Sequence, residues 1–205
     1  NNERATDVGR RSYLGGRTEA YYIGKLPGKV YCLDINSMYP YIMKHKAVPY
    51  RLATTRTNLE LHQLSHLLED YAVVADVQLE VNEPCIPIRL EGRTSWPVGS
   101  FQAALTTPEL SYALERGMVT KIDYAAVYHK DVIFSDYVDF FYGKRLEARK
   151  SSDRATEGIT KLFLNSLYGK FGQNGQRWST VGQAEDMTIG FFNVYDADEA
   201  VLTKY

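Results

Sequence analysis

Apolar and polar positions change period along this 205-residue chain, and the changes predict a protein of the α+β class. Residues 71–81 and 118–129 alternate as half-buried strands do, whereas residues 58–71 have the spacing of an amphipathic helix. Residues 30–35 form a short apolar run with β-branched and aromatic members, which predicts a buried strand. Residues 82–101 are rich in proline and glycine and predict loop with short extended pieces.

The clearest helix signals lie in the second half of the chain. Residues 107–109 (Thr-Pro-Glu) supply a cap, a proline at the first position and an acid in the first turn, and Gly117 supplies the stop. Helical spacing then predicts helices over 135–150 and 154–172. Because only three residues separate them, we expect an antiparallel hairpin. Residues 173–205 predict turns and a β-hairpin.

The first forty residues give weaker signals. Residues 1–28 are polar, basic and glycine-containing, and they predict an extended linker. Asn36 or Ser37 is predicted to cap a helix that holds Pro40 in its first turn. Asp34 would then close the predicted strand just before that helix begins.

Composition and charge narrow the class of partner. A hydrophobic share of 44% and a charged share of 24% are ordinary for a globular domain. The net charge of −1 excludes a uniformly basic nucleic-acid binder. Between residues 144 and 177, however, eight cationic side chains accompany three carboxylates. This basic segment favours a local polyphosphate or nucleic-acid contact, and a solvated charged helix face is the alternative.

Cysteine usage and hydropathy bear on the compartment. Cys32 and Cys85 have no paired spacing, so we expect reduced, half-buried thiols and a cytoplasmic setting. No apolar stretch approaches the roughly 18 residues of a membrane span, and no signal peptide is visible. The chain begins with asparagine rather than methionine, which predicts that it is a piece of a longer protein.

Asp34 and its neighbours are the first candidate site. A carboxylate beside the main-chain carbonyl of Ile35 offers the hard oxygen ligands that Mg²⁺ prefers. The alternative is a carboxylate that caps the next helix. The ring of Tyr39 could lie under a bound sugar, or it could be a core aromatic.

The predicted helical hairpin is the second candidate site. Lys161, Asn165 and Tyr168 stand at i, i+4 and i+7 and therefore share one helix face, which Arg154 extends. Two arginines on the preceding helix are likewise four residues apart. Charge-assisted contacts from such side chains commonly hold triphosphate oxygens. These two arginines are Arg145 and Arg149, and Lys150 lies beside them.

Three segments together resemble one family of enzymes. Residues 34–40 (Asp-Ile-Asn-Ser-Met-Tyr-Pro) resemble motif A of family B DNA polymerases, and residues 161–169 resemble motif B, Lys-x3-Asn-Ser-x-Tyr-Gly. Residues 13–16 (Tyr-Leu-Gly-Gly) are similar to the Tyr-x-Gly-Gly segment that joins the exonuclease and polymerase domains of that family. The motif spacing and the Thr-Pro-Glu insert look most like the protein-primed subgroup of phages, viruses and linear plasmids.

The resemblance implies an architecture and an activity. It implies a linker over 1–29, a palm of antiparallel sheet and helices with an inserted subdomain over 30–134, a helical fingers hairpin over 135–172, and a β-hairpin-like return over 173–205. The implied reaction transfers deoxynucleotides to a primer 3′-hydroxyl with two Mg²⁺ or Mn²⁺ ions. Implied partners are primer–template DNA, deoxynucleoside triphosphates and a terminal priming protein. The implied compartment is the host cytoplasm, or an organelle for a plasmid-borne enzyme.

The resemblance also implies roles around the metal ions. Asp34 would bind both ions, the carbonyl of Ile35 would bind the nucleotide metal, and Tyr39 would lie beneath the incoming sugar and exclude ribonucleotides. The family has a further metal-binding aspartate in motif C, Tyr-x-Asp-Thr-Asp-Ser. Residues 195–198 (Tyr-Asp-Ala-Asp) lack its threonine and serine and are predicted to form a β-turn. Motif C is therefore expected beyond residue 205.

Further roles are implied on the hairpin and at the DNA. Lys161 would act in catalysis by contacting the triphosphate, and Arg145 or Arg149 would assist it from the other helix. The choice between these arginines and Lys150 is left open. The residues implied at the nascent base pair are Asn165 and Tyr168, and those implied at the DNA are Tyr13, Gly15, Gly16, Ser37, Tyr168, Gly169 and Lys170.

Two other functions remain open from the residues alone. A non-catalytic nucleotide- or nucleic-acid-binding remnant would keep the shape and charge without turnover, and an unrelated interaction domain would carry the motifs by coincidence. Elsewhere, His62, His66 and Asp70 repeat every four residues, which fits an exposed helix face better than a metal edge. Asp76 lies on an alternating strand and is predicted to face solvent.

Overall fold

The structure is a computed structural model, and the residues that it describes are 2–18, 20, 22–172, 193–196 and 201–204. The chain divides into two compact units, Asn1–Asn165 and Ser166–Tyr205. The first unit holds most of the described elements, and each unit is treated by itself.

The described elements are six helices and eight strands. The helices are α1 (Glu3–Arg11), α2 (Met38–His45), α3 (Leu61–Asp70), α4 (Thr107–Glu115), α5 (Ser135–Lys150) and α6 (Arg154–Gly172). The strands are β1 (Val48–Leu59), β2 (Ala72–Val81), β3 (Ile88–Leu90), β4 (Arg93–Ser95), β5 (Gly99–Thr106), β6 (Val119–Asp131), β7 (Asn193–Asp196) and β8 (Val201–Lys204).

An antiparallel four-stranded sheet, in the order β1-β6-β2-β5, organises the first unit. Strands β3 and β4 form a separate short hairpin. In the second unit β7 pairs with β8 in antiparallel register, from Asn193 opposite Lys204 to Asp196 opposite Val201.

Strand β2 has buried side chains on both faces of the sheet, since consecutive side chains of a strand point to opposite sides. On β2, Val73, Ala75, Val77 and the residues that continue this alternation pack against α3 and α4 in the larger core cluster. On the other face, Ala5 and Val8 of α1 pack against side chains of β5 and β6 in a smaller cluster. The helices therefore cover the sheet on both sides.

Asp76 lies on the face that α1 covers, so the prediction that it faces solvent is wrong. Its carboxylate is buried and accepts two hydrogen bonds from the guanidinium of Arg11, at 2.7 and 2.8 Å. These bonds stabilise the charged guanidinium and so raise the pKa of Arg11 above its ordinary value. The alternating pattern of β2 predicts one buried face and one solvent-exposed face. The pattern contains no sign of helix α1, which covers the second face.

The predicted helix α4 is present, but it begins one residue earlier than the signal at residues 107–109 indicated, because Thr107 and Pro108 occupy its first two positions. Thr106 is the cap, and the side chain of Glu109 accepts a hydrogen bond from the Thr106 main-chain N–H at 2.8 Å, which completes a capping box. The hydroxyl of Thr107 bridges to the main chain of Val73 on β2. Gly117, at φ +65°, lies just past the end of the helix as predicted.

The helical hairpin has the predicted bounds. Helices α5 and α6 are joined by three residues, of which Asp153 accepts hydrogen bonds from the hydroxyl and main-chain N–H of Thr156. These bonds, from the hydroxyl first, lower the pKa of Asp153. Farther from the turn the rings of Phe141 and Phe163 stack at 5.0 Å, and Tyr137 donates a hydrogen bond to the carbonyl of Phe163. The contacts of Phe141 and Tyr137 with Phe163 thus hold the two helices antiparallel.

Two predictions of local structure are wrong, and one strand had no prediction. Residues 30–35 form no strand, and the first 28 residues contain α1 rather than only extended linker. Strand β1 was not predicted, because most of its side chains are exposed and its sequence has no apolar alternation. An edge strand that pairs through its main chain leaves little trace in a hydropathy pattern.

Some predictions fall on residues beyond those described. Of the turns and hairpin predicted over 173–205, residues 173–192, 197–200 and 205 lie outside the described residues, and so does half of the β-turn predicted at 195–198. Tyr195 and Asp196 belong to β7. No helix in the described ranges is long and apolar enough to cross a membrane.

Replacing Asp76 by alanine is expected to lower the free energy of unfolding by about 1 to 2 kcal/mol. Charge-assisted hydrogen bonds contribute about 1.5 to 3 kcal/mol, and this value is reduced because the Arg11 side chain is 45% exposed and screened by solvent. Urea unfolding of the chain, followed by circular dichroism, measures the loss.

Asp7→Ala is the matched control, because Asp7 also pairs with Arg11, at 2.9 Å, but is 64% exposed. Its expected loss is below about 0.5 kcal/mol. Equal losses for the two variants would contradict the assigned importance of the buried pair.

Candidate functional site

The segment that carries Asp34 is an exposed connection. Residues 31–35 have no regular secondary structure, and Asp34 and Ile35 are exposed, the latter at 69%. Asp34 therefore does not close a strand, as its position after an apolar run suggested. Within the described ranges no strand pairs with these residues.

The turn at residues 36–37 joins this connection to α2 and has an unusual backbone. Ser37 adopts a left-handed conformation at φ +53°, which costs a residue other than glycine about 1 to 2 kcal/mol. Ser37 is the N-cap residue, as predicted, but its hydroxyl makes no capping hydrogen bond. The hydroxyl instead accepts a hydrogen bond from Nη1 of Arg145 at 3.3 Å.

Helix α2 packs against the start of α5. Lys44 forms an ion pair with Asp139, and the hydroxyl of Ser135 donates to the Lys44 carbonyl at 3.0 Å. Pro40 is buried in the first turn of α2 as predicted, whereas Tyr39 remains 45% exposed. These contacts hold the turn at residues 36–37 beside the predicted fingers hairpin.

Two arginines of α5 meet one carboxylate of α6. Arg149 contacts Oε1 of Glu157 through Nε at 2.9 Å and Nη2 at 2.8 Å. Nε of Arg145 lies 3.9 Å from the same oxygen and, within the described residues, is buried without a hydrogen bond. The sequence left the triphosphate contact open between three cations. Arg145 lies at the turn formed by residues 36–37, Arg149 is bound to Glu157, and Lys150 is exposed at the end of α5.

A small cavity lies where the turn meets α5. Its volume is about 50 Å³, and its lining carries two guanidinium groups, a phenol and the polar side chains of the turn. It is large enough for one or two small polar groups but not for a whole nucleotide. The residues that line it are Asn36, Ser37, Tyr142, Arg145, Leu146 and Arg149.

The predicted cationic face of α6 is exposed. Lys161 and Asn165 follow directly after the buried Thr160 and Leu164, and both are in contact with solvent. Among the described residues no hydrogen bond or ion pair joins them to residues 34–40. The structure therefore brings Ser37 and Arg145 together, but it does not bring Lys161 into contact with Asp34.

The remaining predicted residues lie on two other segments. Tyr13 is half-buried directly after α1, and its main-chain N–H donates to the carbonyl of Arg10 at 3.2 Å. Gly15 and Gly16 are exposed. In the second unit, the final turns of α6 hold three predicted residues, of which the half-buried one is Tyr168 and the exposed ones are Gly169 and Lys170.

The donor set fits part of a site for divalent ions. Asp34 offers an exposed carboxylate, and the adjacent Ile35 offers a main-chain carbonyl, both hard oxygen ligands. In the part of the chain that the structure describes, no group of three or more His, Cys, Asp or Glu side chains could hold a metal ion. Two ions about 4 Å apart need carboxylates from more than one place, so these residues supply only part of such a site. His62, His66 and Asp70 lie exposed on α3, as predicted.

Sequence reasoning missed Glu157 and the pair Lys44–Asp139. Glu157 lies one helical turn before Lys161 and therefore near the same face of α6. An acid next to a cationic stripe, close to a three-residue turn, is a signal that could have suggested a partner on the other helix. The pair Lys44–Asp139 joins residues 95 positions apart and left no local signal.

Residues 2–191 match the family described as DNA polymerase type B, organellar and viral. The chain belongs to this family. It is 31% identical over 178 residues to a probable DNA polymerase of Agaricus bitorquis and 26% identical over 172 residues to the DNA-directed DNA polymerase of Enterobacteria phage PRD1. These matches cover 83% and 82% of the chain, but only 22% and 29% of the two relatives.

The fold is shared with a solved DNA polymerase. A structure of phi29 DNA polymerase aligns with 69% of this chain and 26% of its own, at a TM-score of 0.53 and 23% sequence identity. The predicted α+β class is confirmed, with an antiparallel sheet, covering helices and a helical hairpin.

The two cysteines offer a test of the exposed connection. Cys32 is exposed two residues before Asp34, whereas Cys85 is half-buried against the core, so only Cys85 matches the expected burial. A maleimide is expected to label Cys32 several-fold faster under native conditions, because the reaction needs an accessible thiolate.

Single-thiol variants, Cys85→Ser and Cys32→Ser, assign the two labelling rates, and the urea-unfolded variants give the reference rates. If residues 30–35 formed the buried strand that their apolar pattern suggests, Cys32 would be protected at least as strongly as Cys85.

Proposed function

We propose that the chain carries the nucleotide-binding part of a template-directed DNA polymerase that starts replication on a protein primer. The observation that carries this proposal is the hydrogen bond from Arg145 to Ser37, which joins positions 108 residues apart. One partner lies in the segment that resembles motif A and the other on the first helix of the predicted fingers. Family membership supports the same reading.

In this proposal the exposed carboxylate of Asp34 and the carbonyl of Ile35 would hold divalent ions, Mg²⁺ or Mn²⁺. When bound, such ions stabilise the charge on the attacking and leaving oxygens of phosphoryl transfer. A second aspartate, from a motif C beyond residue 205, would complete the set of ligands. The exposure of Asp34 supports this role, because the ligand must be reachable from a separate segment.

Arg145 is proposed as the upstream triphosphate contact, in preference to Arg149 and Lys150. Its Nη1 is already at the turn, and a guanidinium can hold phosphate oxygens through two parallel hydrogen bonds. Lys161, exposed on α6, is proposed to bind the same triphosphate as a second, mobile charge. The small cavity beside Arg145 suits a terminal phosphate oxygen or a water better than a base.

The other assignments concern the sugar, the base and the DNA. Tyr39, exposed on α2, is proposed to lie beneath the incoming sugar and to exclude a 2′-hydroxyl by contact. Asn165 and Tyr168 are proposed at the nascent base pair. The residues proposed to contact DNA are Tyr13, Gly15, Gly16, Ser37, Tyr168, Gly169 and Lys170.

Partners follow from the same reading. A solved phi29 DNA polymerase is complexed with primer-template DNA, and we propose primer–template DNA and deoxynucleoside triphosphates as partners of this chain. A terminal priming protein is the further partner proposed for initiation. A non-catalytic binding remnant is the second candidate, favoured by the single exposed carboxylate of the motif A segment.

The chain extended through its motif C is expected to incorporate deoxynucleotides on a primed template with Mg²⁺ or Mn²⁺. Asp34→Ala is expected to lower the rate by at least about a thousandfold, because it removes a ligand shared by both ions. Primer extension measures incorporation, and Asp70→Ala, an exposed carboxylate away from the site, is the control. DNA binding without incorporation by the unmodified extended protein would favour the remnant.

Arg145→Ala is expected to weaken binding of Mg²⁺–dATP to the chain by about tenfold or more, because a charge-assisted hydrogen bond contributes about 1.5 to 3 kcal/mol. Titration calorimetry measures the affinity. Lys150→Ala removes an exposed charge from the end of the same helix, and a change below about twofold is expected. Equal effects of the two substitutions would indicate unspecific attraction of the triphosphate to a basic surface.

A further inference from the structure

Glu157 is a carboxylate among cations that are proposed to bind a polyanion. It lies on α6 one turn before Lys161, and its Oε1 contacts two nitrogens of Arg149 at 2.8 and 2.9 Å. Nε of Arg145 lies 3.9 Å from the same oxygen. The negative charge of a carboxylate at this place repels a triphosphate. Its presence beside the proposed site therefore suggests a second, compensating role.

The burial of the Arg145 side chain indicates the role of Glu157. Its side chain is only 17% exposed, and a charged group withdrawn from water needs a counter-charge or hydrogen-bond partners. Ser37 supplies one neutral acceptor on one side of the guanidinium. Glu157 supplies the nearby negative charge on the other side, so the guanidinium lies between the two.

Arg149 completes the arrangement by fixing the carboxylate itself. Its two contacts with Oε1 hold Glu157 across the hairpin, close to the three-residue turn between α5 and α6. A carboxylate held in this way is a fixed charge rather than a freely rotating one. Preorganised charges of this kind cost little reorganisation when a charged ligand binds.

We propose that Glu157 is a positioning residue, held by Arg149, that keeps the Arg145 guanidinium turned toward Ser37 for contact with a triphosphate. The inference rests on the proposed function, because it takes Arg145 as the triphosphate contact. Glu157 itself is not proposed to contact the nucleotide.

For Glu157→Gln, the proposal predicts a change in triphosphate affinity opposite in sign to the change that net charge alone predicts. Glu157→Gln removes one negative charge from the neighbourhood of a polyanion site, so electrostatic attraction alone predicts tighter binding. Loss of the fixed carboxylate releases both arginines, so positioning predicts weaker binding. The sign of the change separates the two explanations.

The test is a calorimetric titration of Mg²⁺–dATP into the full chain. Glu157→Gln is expected to weaken binding by about three- to tenfold, within the range of coupling between contacting residues. Glu147→Gln is the matched control, since Glu147 pairs with Lys144 at 2.9 Å on the exposed side of α5. It should change the affinity by less than about twofold.

A second variant keeps the charge and guards against a folding defect. Glu157→Asp shortens the side chain by one methylene, so positioning predicts weaker binding and net charge predicts no change. In an Arg145→Ala background, Glu157→Gln should no longer weaken binding, because the positioned group is absent. Circular dichroism of each variant verifies that the helices are intact.

The outcomes separate the two proposals. Tighter or unchanged binding by Glu157→Gln, or an undiminished effect of Glu157→Gln in the Arg145→Ala background, overturns the positioning role and leaves the nucleotide site intact. If Arg145→Ala itself leaves the affinity of Mg²⁺–dATP unchanged, the nucleotide site proposed for this chain fails, and the positioning role fails with it.

Discussion

The placement of the Arg145 guanidinium between Ser37 and Glu157 is the interaction that makes a site out of separate segments. Without it, the exposed connection that carries Asp34 and the helical hairpin would be neighbours with no defined relation at their polar ends. The contact is made at a strained backbone position, since Ser37 is left-handed and its hydroxyl makes no capping hydrogen bond. Strain of this kind persists where surrounding contacts over-determine it, and such places are often functional.

The supporting contacts come from both sides. Lys44 and Ser135 join α2 to α5, and the stacked rings of Phe141 and Phe163 hold α5 against α6. The four-stranded sheet is a separate layer with its own core, fixed to α1 by the buried pair of Arg11 and Asp76. The chain thus separates a rigid scaffold from an exposed connection that a ligand and further segments can reach.

Much of the fold was predictable wherever apolar periodicity reported burial. Strand β2 and the helical hairpin follow from such patterns, whereas the start of α4 follows from its capping and proline signal. The errors have the same origin. Residues 30–35 are apolar yet exposed and unpaired with any strand in the described ranges, whereas β1 is polar yet pairs along β6.

The site was predictable only in part. The motif pattern indicated Asp34, Ser37 and Lys161, and helical spacing indicated two candidate arginines. The choice between these arginines and the presence of Glu157 depended on distances across a turn, which a linear pattern does not contain. Asp76 was misjudged because a helix from a distant part of the chain covers its face. Long-range pairing of this kind requires coordinates.

The most direct test of the account is an NMR titration that follows the Nε–H signals of the two α5 arginines as Mg²⁺–dATP is added to the chain. A nucleotide site built around Arg145 predicts a saturable shift of the Arg145 signal together with the amide of Ser37, while the Arg149 signal moves less because Glu157 retains its guanidinium. A shift of Arg149 without Arg145, or uniform small shifts of all exposed arginines, would contradict a nucleotide site built around Arg145.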